Sequence, residues 1–197
     1  FFFFFFFKQK TAYEMCDRDW SSDVCSSDLR TSVQDLVEAT GLSRSSLYET
    51  FGSKHDLYLA ALDRYRNRET RELVERLDDG SSPLACIRRV FEKAGVACAD
   101  DDGRGCFVVN ATVERARCDE EIGRRTAASL QGMENAFAMA VRRGQTAGEI
   151  DDDLDPVAAG RFLANAYRGI HVTSQLRPDQ AVLEDVIDQT LSVLMEA

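Results

Sequence analysis

The sequence predicts an all-α chain: a small N-terminal helix-turn-helix domain followed by a larger helical domain. Three observations predict it. First, the alternation of β-branched residues that marks strands is absent. Second, the three prolines, Pro83, Pro156 and Pro178, each stand where a helix can begin. Third, residues 31–57 carry two short apolar-periodic runs, each preceded by a capping residue and separated by a glycine.

Within that stretch, Ser32 is placed to cap a helix carrying Val33, Leu36 and Val37, with Asp35 three residues after the cap. Gly41 permits a sharp turn, and Ser43 caps a second helix from Arg44 to about Thr50 whose inward side is Leu47 and Phe51. Two short helices around a tight turn form the device that sets a helix in a DNA major groove. Lys54 to about Leu77 reads as one helix, capped by Ser53, with Leu57, Leu59, Ala60, Ala61 and Tyr65 on its apolar face. Its Arg64, Arg66, Arg68 and Arg71 read as a solvated connector. The run Asp78-Asp79-Gly80-Ser81-Ser82 breaks the chain, and Pro83 starts a helix through Ile87, Val90, Phe91 and Val96.

The acidic run 100–105 reads as a loop, and a short buried helix follows from about Cys106. Asp119 opens a long helix through Ile122, Ala127, Leu130, Met133, Phe137, Met139 and Val141, ending near Gly144. Asp155-Pro156 is a cap followed by an N1 proline, opening a helix with Val157, Phe162, Leu163, Ala166, Tyr167 and Ile170. Pro178 is expected to start the last helix, with Val182, Leu183, Val186, Ile187, Leu191 and Leu194. The apolar residues of these last two helices are too numerous for one face each. A second face on each is expected to pair with another copy of the chain, making a homodimer through residues 156–194.

Residues 1–29 do not read as the start of a domain. Phe1 to Phe7 back-translate to a poly-T run, and Lys8 to Glu14 and Asp19 to Leu29 back-translate to stretches of a common sequencing-library adapter. The segment is therefore set aside as an artefact, giving domain boundaries of 1–29, 30–75 and 76–197. The splice at Leu29/Arg30 is expected to have replaced a native first helix. A truncated dimer unable to bind DNA is one consequence.

Composition narrows the function. Residues 30–197 hold 21 basic and 29 acidic residues, a net charge of −8. Residues 30–72 are neutral, with seven of each sign, so the acidity lies in residues 73–197. Such a distribution argues against general nucleic-acid binding and confines phosphate contact to the first domain. No apolar run is long enough to span a membrane. Outside residues 1–29 the cysteines are Cys86, Cys98, Cys106 and Cys118, spaced by 12, 8 and 12, without the short paired gaps of a zinc site. With no secretion signal, reduced thiols in the cytoplasm are expected. Two histidines, no phosphate-cradling glycine loop and no nucleophile–base constellation leave no enzyme reading, no catalytic or metal residues and no cofactor.

The motifs resemble the TetR family of transcriptional repressors. The matching elements are Thr31-Ser32, Thr40-Gly41-Leu42, Leu47-Tyr48-Glu49-Thr50-Phe51 and Ser53-Lys54-His55-Asp56-Leu57. The resemblance implies a DNA-binding regulator, most readily a repressor released from a palindromic double-stranded operator by a small-molecule effector. Arg44, Ser45, Ser46 and Thr50 point away from the Leu47/Phe51 side, and Arg44 suits a bidentate contact to guanine. By the resemblance, Tyr48 and Lys54 hold phosphate. Thr31, Ser32 and Gln34 are placed to grip the far side of the groove. In the second domain, Phe91, Cys106, Phe107, Asn110, Glu114, Phe137, Tyr167 and His171 mix apolar walls with a few polar groups, as effector cavities do. The segment Gly105 to Asn110 also resembles a subgroup in which a cysteine at this helix start senses electrophiles or oxidants. A helix N-terminus favours the thiolate, giving Cys106 modification as the alternative switch. Effector, operator and target genes are not legible in the sequence.

Overall fold

The computed structural model describes residues 33–100, 106–176 and 179–195. The expectations for residues 1–29, for Thr31 and Ser32, for the loop at 101–105 and for Pro178 lie outside the described residues. The described elements are all helical: α1 Val33–Thr40, α2 Arg44–Phe51, α3 Lys54–Leu77, α4 Pro83–Asp100, α5 Phe107–Glu114, α6 Glu120–Thr146, α7 Pro156–Thr173, a 3-10 turn Ser174–Leu176, and α8 Gln180–Ser192. The chain divides into two compact units between Arg66 and Asn67, inside α3.

In the first unit, Gly41 adopts φ +65° between α1 and α2, a left-handed conformation that a residue with a Cβ enters only with strain. Gly52 does the same at φ +82° between α2 and α3, its N–H closing onto the Tyr48 carbonyl. Ser43 Oγ accepts the Ser46 N–H at 3.1 Å, and Ser53 Oγ accepts that of Asp56 at 3.0 Å while donating to the Asp56 carboxylate at 2.6 Å. Both predicted caps are thus made. Leu36, Leu47 and Leu57 are buried. The α3 side of this core is Leu57, Tyr58, Leu59, Ala61 and Leu62. Ala60 and Tyr65, expected there, are half-buried.

The second unit is built on α6 and α7. Asp119 caps α6 through the Glu121 and Ile122 N–H groups, and Asp155 caps α7 ahead of Pro156. A Cβ on Gly160 of α7 would lie 2.6 Å from the Glu134 carbonyl and 2.9 Å from Ala138 Cβ, so the two backbones meet where neither carries bulk. Leu73, Leu77, Phe91, Phe137, Val141, Leu163, Ile170 and Leu191 belong to one core cluster that gathers α3, α4, α6, α7 and α8. Side chains from the α6–α7 corner cap its neighbours: the Arg143 guanidinium donates to the Leu77 carbonyl at the end of α3. The Glu149 carboxylate accepts from Ser82 Oγ at 2.7 Å and from the Leu84 N–H at 3.1 Å at the start of α4. These contacts satisfy helix ends that are otherwise without partners.

Two expectations change. The last helix begins at Gln180, behind an extended Asp179 at its N-cap, two residues beyond the expected start. Ala127 and Met139, expected on the inward face of α6, are exposed. Positions 133, 137, 140, 141 and 144 fill that face, and Met139 falls opposite.

Candidate nucleic-acid interface and inner cluster

Helix α2 presents two different sides. Leu47 points inward and holds the helix to the unit, while Arg44, Ser45, Tyr48 and Glu49 are exposed. Arg44 makes no hydrogen bond among the described residues, so five N–H donors project from the first turn of the helix. Ser45 and Ser46 are drawn into the cap, their hydroxyls 2.9 and 3.0 Å from Ser43 Oγ. Thr50 Oγ1 donates back to the Ser46 carbonyl at 2.8 Å, which leaves its methyl group as the outward contact. A thymine methyl is the natural complement of such a surface. Tyr48 is 45% exposed, and Lys54 is half-buried at the start of α3. Gln34 on α1 donates to Glu38 at 3.0 Å. Glu49, absent from the predicted set, adds one negative charge to the exposed side of α2. Among the described residues, Val33, Leu36, Leu47, Tyr48, Ser53, Lys54 and Leu57 line a shallow hollow of the first unit.

The predicted effector residues occupy three different settings in the second unit. Phe91, Phe137 and Tyr167 form a triangle with ring centroids 5.8 to 6.0 Å apart. Tyr167 also meets His171 edge-on at 4.6 Å. Phe91 and Phe137 have no accessible surface, and Phe107 is 1% exposed, so these rings fill the interior. Burial, with the Arg168 charge adding to it, lowers the His171 imidazole to about 4 and keeps it neutral near pH 7. Glu114 lies exposed at the last turn of α5, away from this group, and Asn110 is half-buried.

Cys106 stands at the N-cap of α5, 3% exposed, and its thiol donates to Glu69 Oε1 at 3.5 Å. Cys106 thus stands at the helix start, as expected, with the Glu69 carboxyl as one partner of its thiol. Glu69 and Arg168 were both missed in the sequence. The signal for Glu69 was there: it lies four and eight residues before Leu73 and Leu77, a carboxyl in an apolar helical row. Arg168 follows the inward Tyr167 directly, a spacing that carries no such mark. No group of three or more acidic, cysteine or histidine side chains is placed to hold a metal among the described residues. No described helix is long and apolar enough to cross a membrane.

The faces of α7 and α8 divide as their composition predicted. Leu163, Tyr167 and Ile170 of α7 and Ile187 and Leu191 of α8 are buried. Phe162 and Val172 on α7, and Val182, Val186 and, just past its end, Val193 on α8, lie 39–50% exposed. Positions 162, 169 and 172 follow helical spacing, with the exposed Gly169 between two apolar side chains.

Comparison with known proteins agrees with both units. The family described as bacterial regulatory proteins, tetR family, matches residues 29–61. The Tetracyclin repressor-like C-terminal domain matches residues 83–190, more than half of the chain. The transcriptional regulator YezE of Bacillus subtilis (strain 168) is 31% identical over 166 residues, covering 83% of this chain and 86% of YezE. Among solved structures, reduced E. coli NemR superposes with a TM-score of 0.81 at 15% identity, covering 93% of this chain and 97% of NemR. The regulator CifR, a cysteine mutant in complex with a 26-bp operator duplex, gives 0.78 at 24% identity, with 91% and 95% covered.

Proposed function

The chain belongs to the TetR family of bacterial transcriptional regulators, and from that premise we propose that it is a homodimeric repressor released from a palindromic operator by a small-molecule effector. The observation that carries the reading is α2: a capped helix anchored by Leu47, with an exposed Arg44 in its first turn that makes no hydrogen bond among the described residues. Arg44 reads a guanine edge, with Ser45, Ser46 and the Thr50 methyl beside it. Tyr48 and Lys54 hold phosphate, while Gln34, together with Thr31 and Ser32, reaches the opposite strand. Two copies joined through the outward faces of α7 and α8 set two such helices for an inverted repeat. An effector in the second unit favours a state in which that spacing is wrong. Such a regulator acts on cytoplasmic DNA and needs no cofactor.

The alternative switch by thiol modification of Cys106 draws no support from its surroundings. A thiolate there would face the Glu69 carboxyl, and the sulfur is almost fully covered. The function is tested by selecting duplexes from a randomised pool with the full chain. Enrichment of an inverted repeat, bound by two protomers, is expected. Enrichment of nothing, or of single half-sites bound by monomers, would overturn the proposal.

A further inference from the structure

Glu49 puts a negative charge on the helix that is to meet a polyanion. It stands two residues after Leu47 and two before Phe51, about 200° of helical turn from each. It therefore projects from the side of α2 that lies away from the core, and it is exposed. Ser45, one turn earlier on the same side, is short, and its hydroxyl lies 2.9 Å from Ser43 Oγ at the cap. Glu49 is thus the polar group that reaches furthest from that side of the helix. The other ionisable side chains of this stretch are Arg44 in the first turn of α2 and Lys54, His55 and Asp56 in the first turn of α3. The Asp56 carboxylate accepts from Ser53 Oγ at 2.6 Å. On α1 the Glu38 carboxylate accepts from Gln34 at 3.0 Å.

We propose that Glu49 is a specificity-determining residue of the operator complex, its carboxylate accepting from the N4 amino group of a cytosine on the floor of the major groove. The inference rests on the DNA-binding reading above and fixes one base of the half-site. An ionised carboxylate only accepts hydrogen bonds. Guanine and thymine turn acceptors alone towards the major groove, and adenine sets its N7 acceptor beside the N6 donor. Cytosine offers the N4 donor with no acceptor beside it on the same base. Set among phosphates, a carboxylate without a donor repels the duplex, so Glu49 also penalises the other bases at its position. Five residues, about 7.5 Å along the helix axis, separate Glu49 from Arg44, so the two side chains address different base pairs.

Duplex selection by the full chain, followed by anisotropy titration of the selected repeat with each base varied in turn, tests this. The unaltered protein should prefer cytosine at one position of each half-site by at least about fivefold over the other three bases. Glu49→Gln, whose amide fits the N6 and N7 edge of adenine, should move that preference to adenine. Glu49→Ala should lose the preference at this position and keep the selection for guanine that depends on Arg44. Both variants retain Leu47 and Phe51 and change an exposed side chain only. A half-site without a cytosine preference, or a preference unchanged in both variants, would overturn the proposal. So would an equal gain in affinity for every duplex in both variants, which is charge repulsion alone. An inverted repeat selected without dependence on Glu49 leaves the repressor reading standing and removes this inference. Selection of no duplex removes both.

Discussion

The roles proposed for Arg44 and Lys54 divide two tasks that DNA recognition keeps apart. Arg44 is free to rotate its planar fork onto a base edge, whereas Lys54, at the start of α3, offers a point charge suited to phosphate. Arg44→Ala should therefore cost about 1–3 kcal/mol on the best site and little on random DNA. Lys54→Ala should weaken binding to every sequence and reduce the salt slope by about one unit. Anisotropy titrations on selected and random duplexes check both, and equal losses for Arg44→Ala on the two would remove its base-reading role. Inside the second unit, His171 makes stability depend on pH. Its folded value of about 4 lies below the ordinary 6.5, so between these values the unfolded chain binds more protons and stability falls as pH drops. The loss across that window is on the order of 3 kcal/mol for full burial of a neutral imidazole. Glu69 acts with the opposite sign, its raised value making stability fall as pH climbs above the carboxylate range. Urea melts of His171→Asn should be flatter between pH 6.5 and 4 than those of the unaltered chain, and an unchanged slope would mean that another group titrates there.

Gly160 shows what an element asks of one position that no local preference reveals. In an isolated helix, alanine would be favoured over glycine by about 0.8–1 kcal/mol. Here a Cβ would meet the Glu134 carbonyl and Ala138 backbone, which cannot swing aside as a side-chain tip can. Gly160→Ala should thus destabilise the unit by about 1–3 kcal/mol, the usual range for overpacking, read as a lower urea midpoint with unchanged m. A rise in midpoint would show that α6 and α7 separate freely. Helix starts were legible because capping is local: Ser43, Ser53, Asp119 and Asp155 each announce a helix within three residues, and each makes its cap bond. The start of α8 lies two residues beyond the one expected. Helical spacing alone separates Met139, outward, from Phe137 and Val141, inward, a distinction the apolar richness of this 27-residue helix obscured. The inward side of α2 was legible in part: Leu47 is buried, whereas Phe51, expected beside it, is half-buried. The pairing of Cys106 with Glu69 spans 37 residues and belongs to the tertiary fold. No window of sequence contains it.

At the scale of the whole molecule, the outward faces of α7 and α8 carry the proposed function as much as α2 does. Phe162 at 44% exposure, with Val172, Val182, Val186 and Val193, gives a single protomer more unburied apolar side chains on these two helices than its own core can use. Covering such a side chain is worth up to about 1.5–3 kcal/mol, and a second copy presents the same face by symmetry. In the proposed dimer, operator affinity follows from that pairing. With the two recognition helices linked, the second half-site is engaged at high effective concentration, a gain of about 10²–10⁴ over one half-site. Phe162→Glu places a charge in the middle of this face while leaving the inward Leu163 and Tyr167 untouched. It should give a folded monomer by sedimentation equilibrium, with an unfolding temperature that no longer rises with protein concentration. Affinity for the selected inverted repeat should fall by about 10²–10⁴, towards that for an isolated half-site. A Phe162→Glu protein that remains dimeric and keeps its affinity would place the dimer contact on another surface.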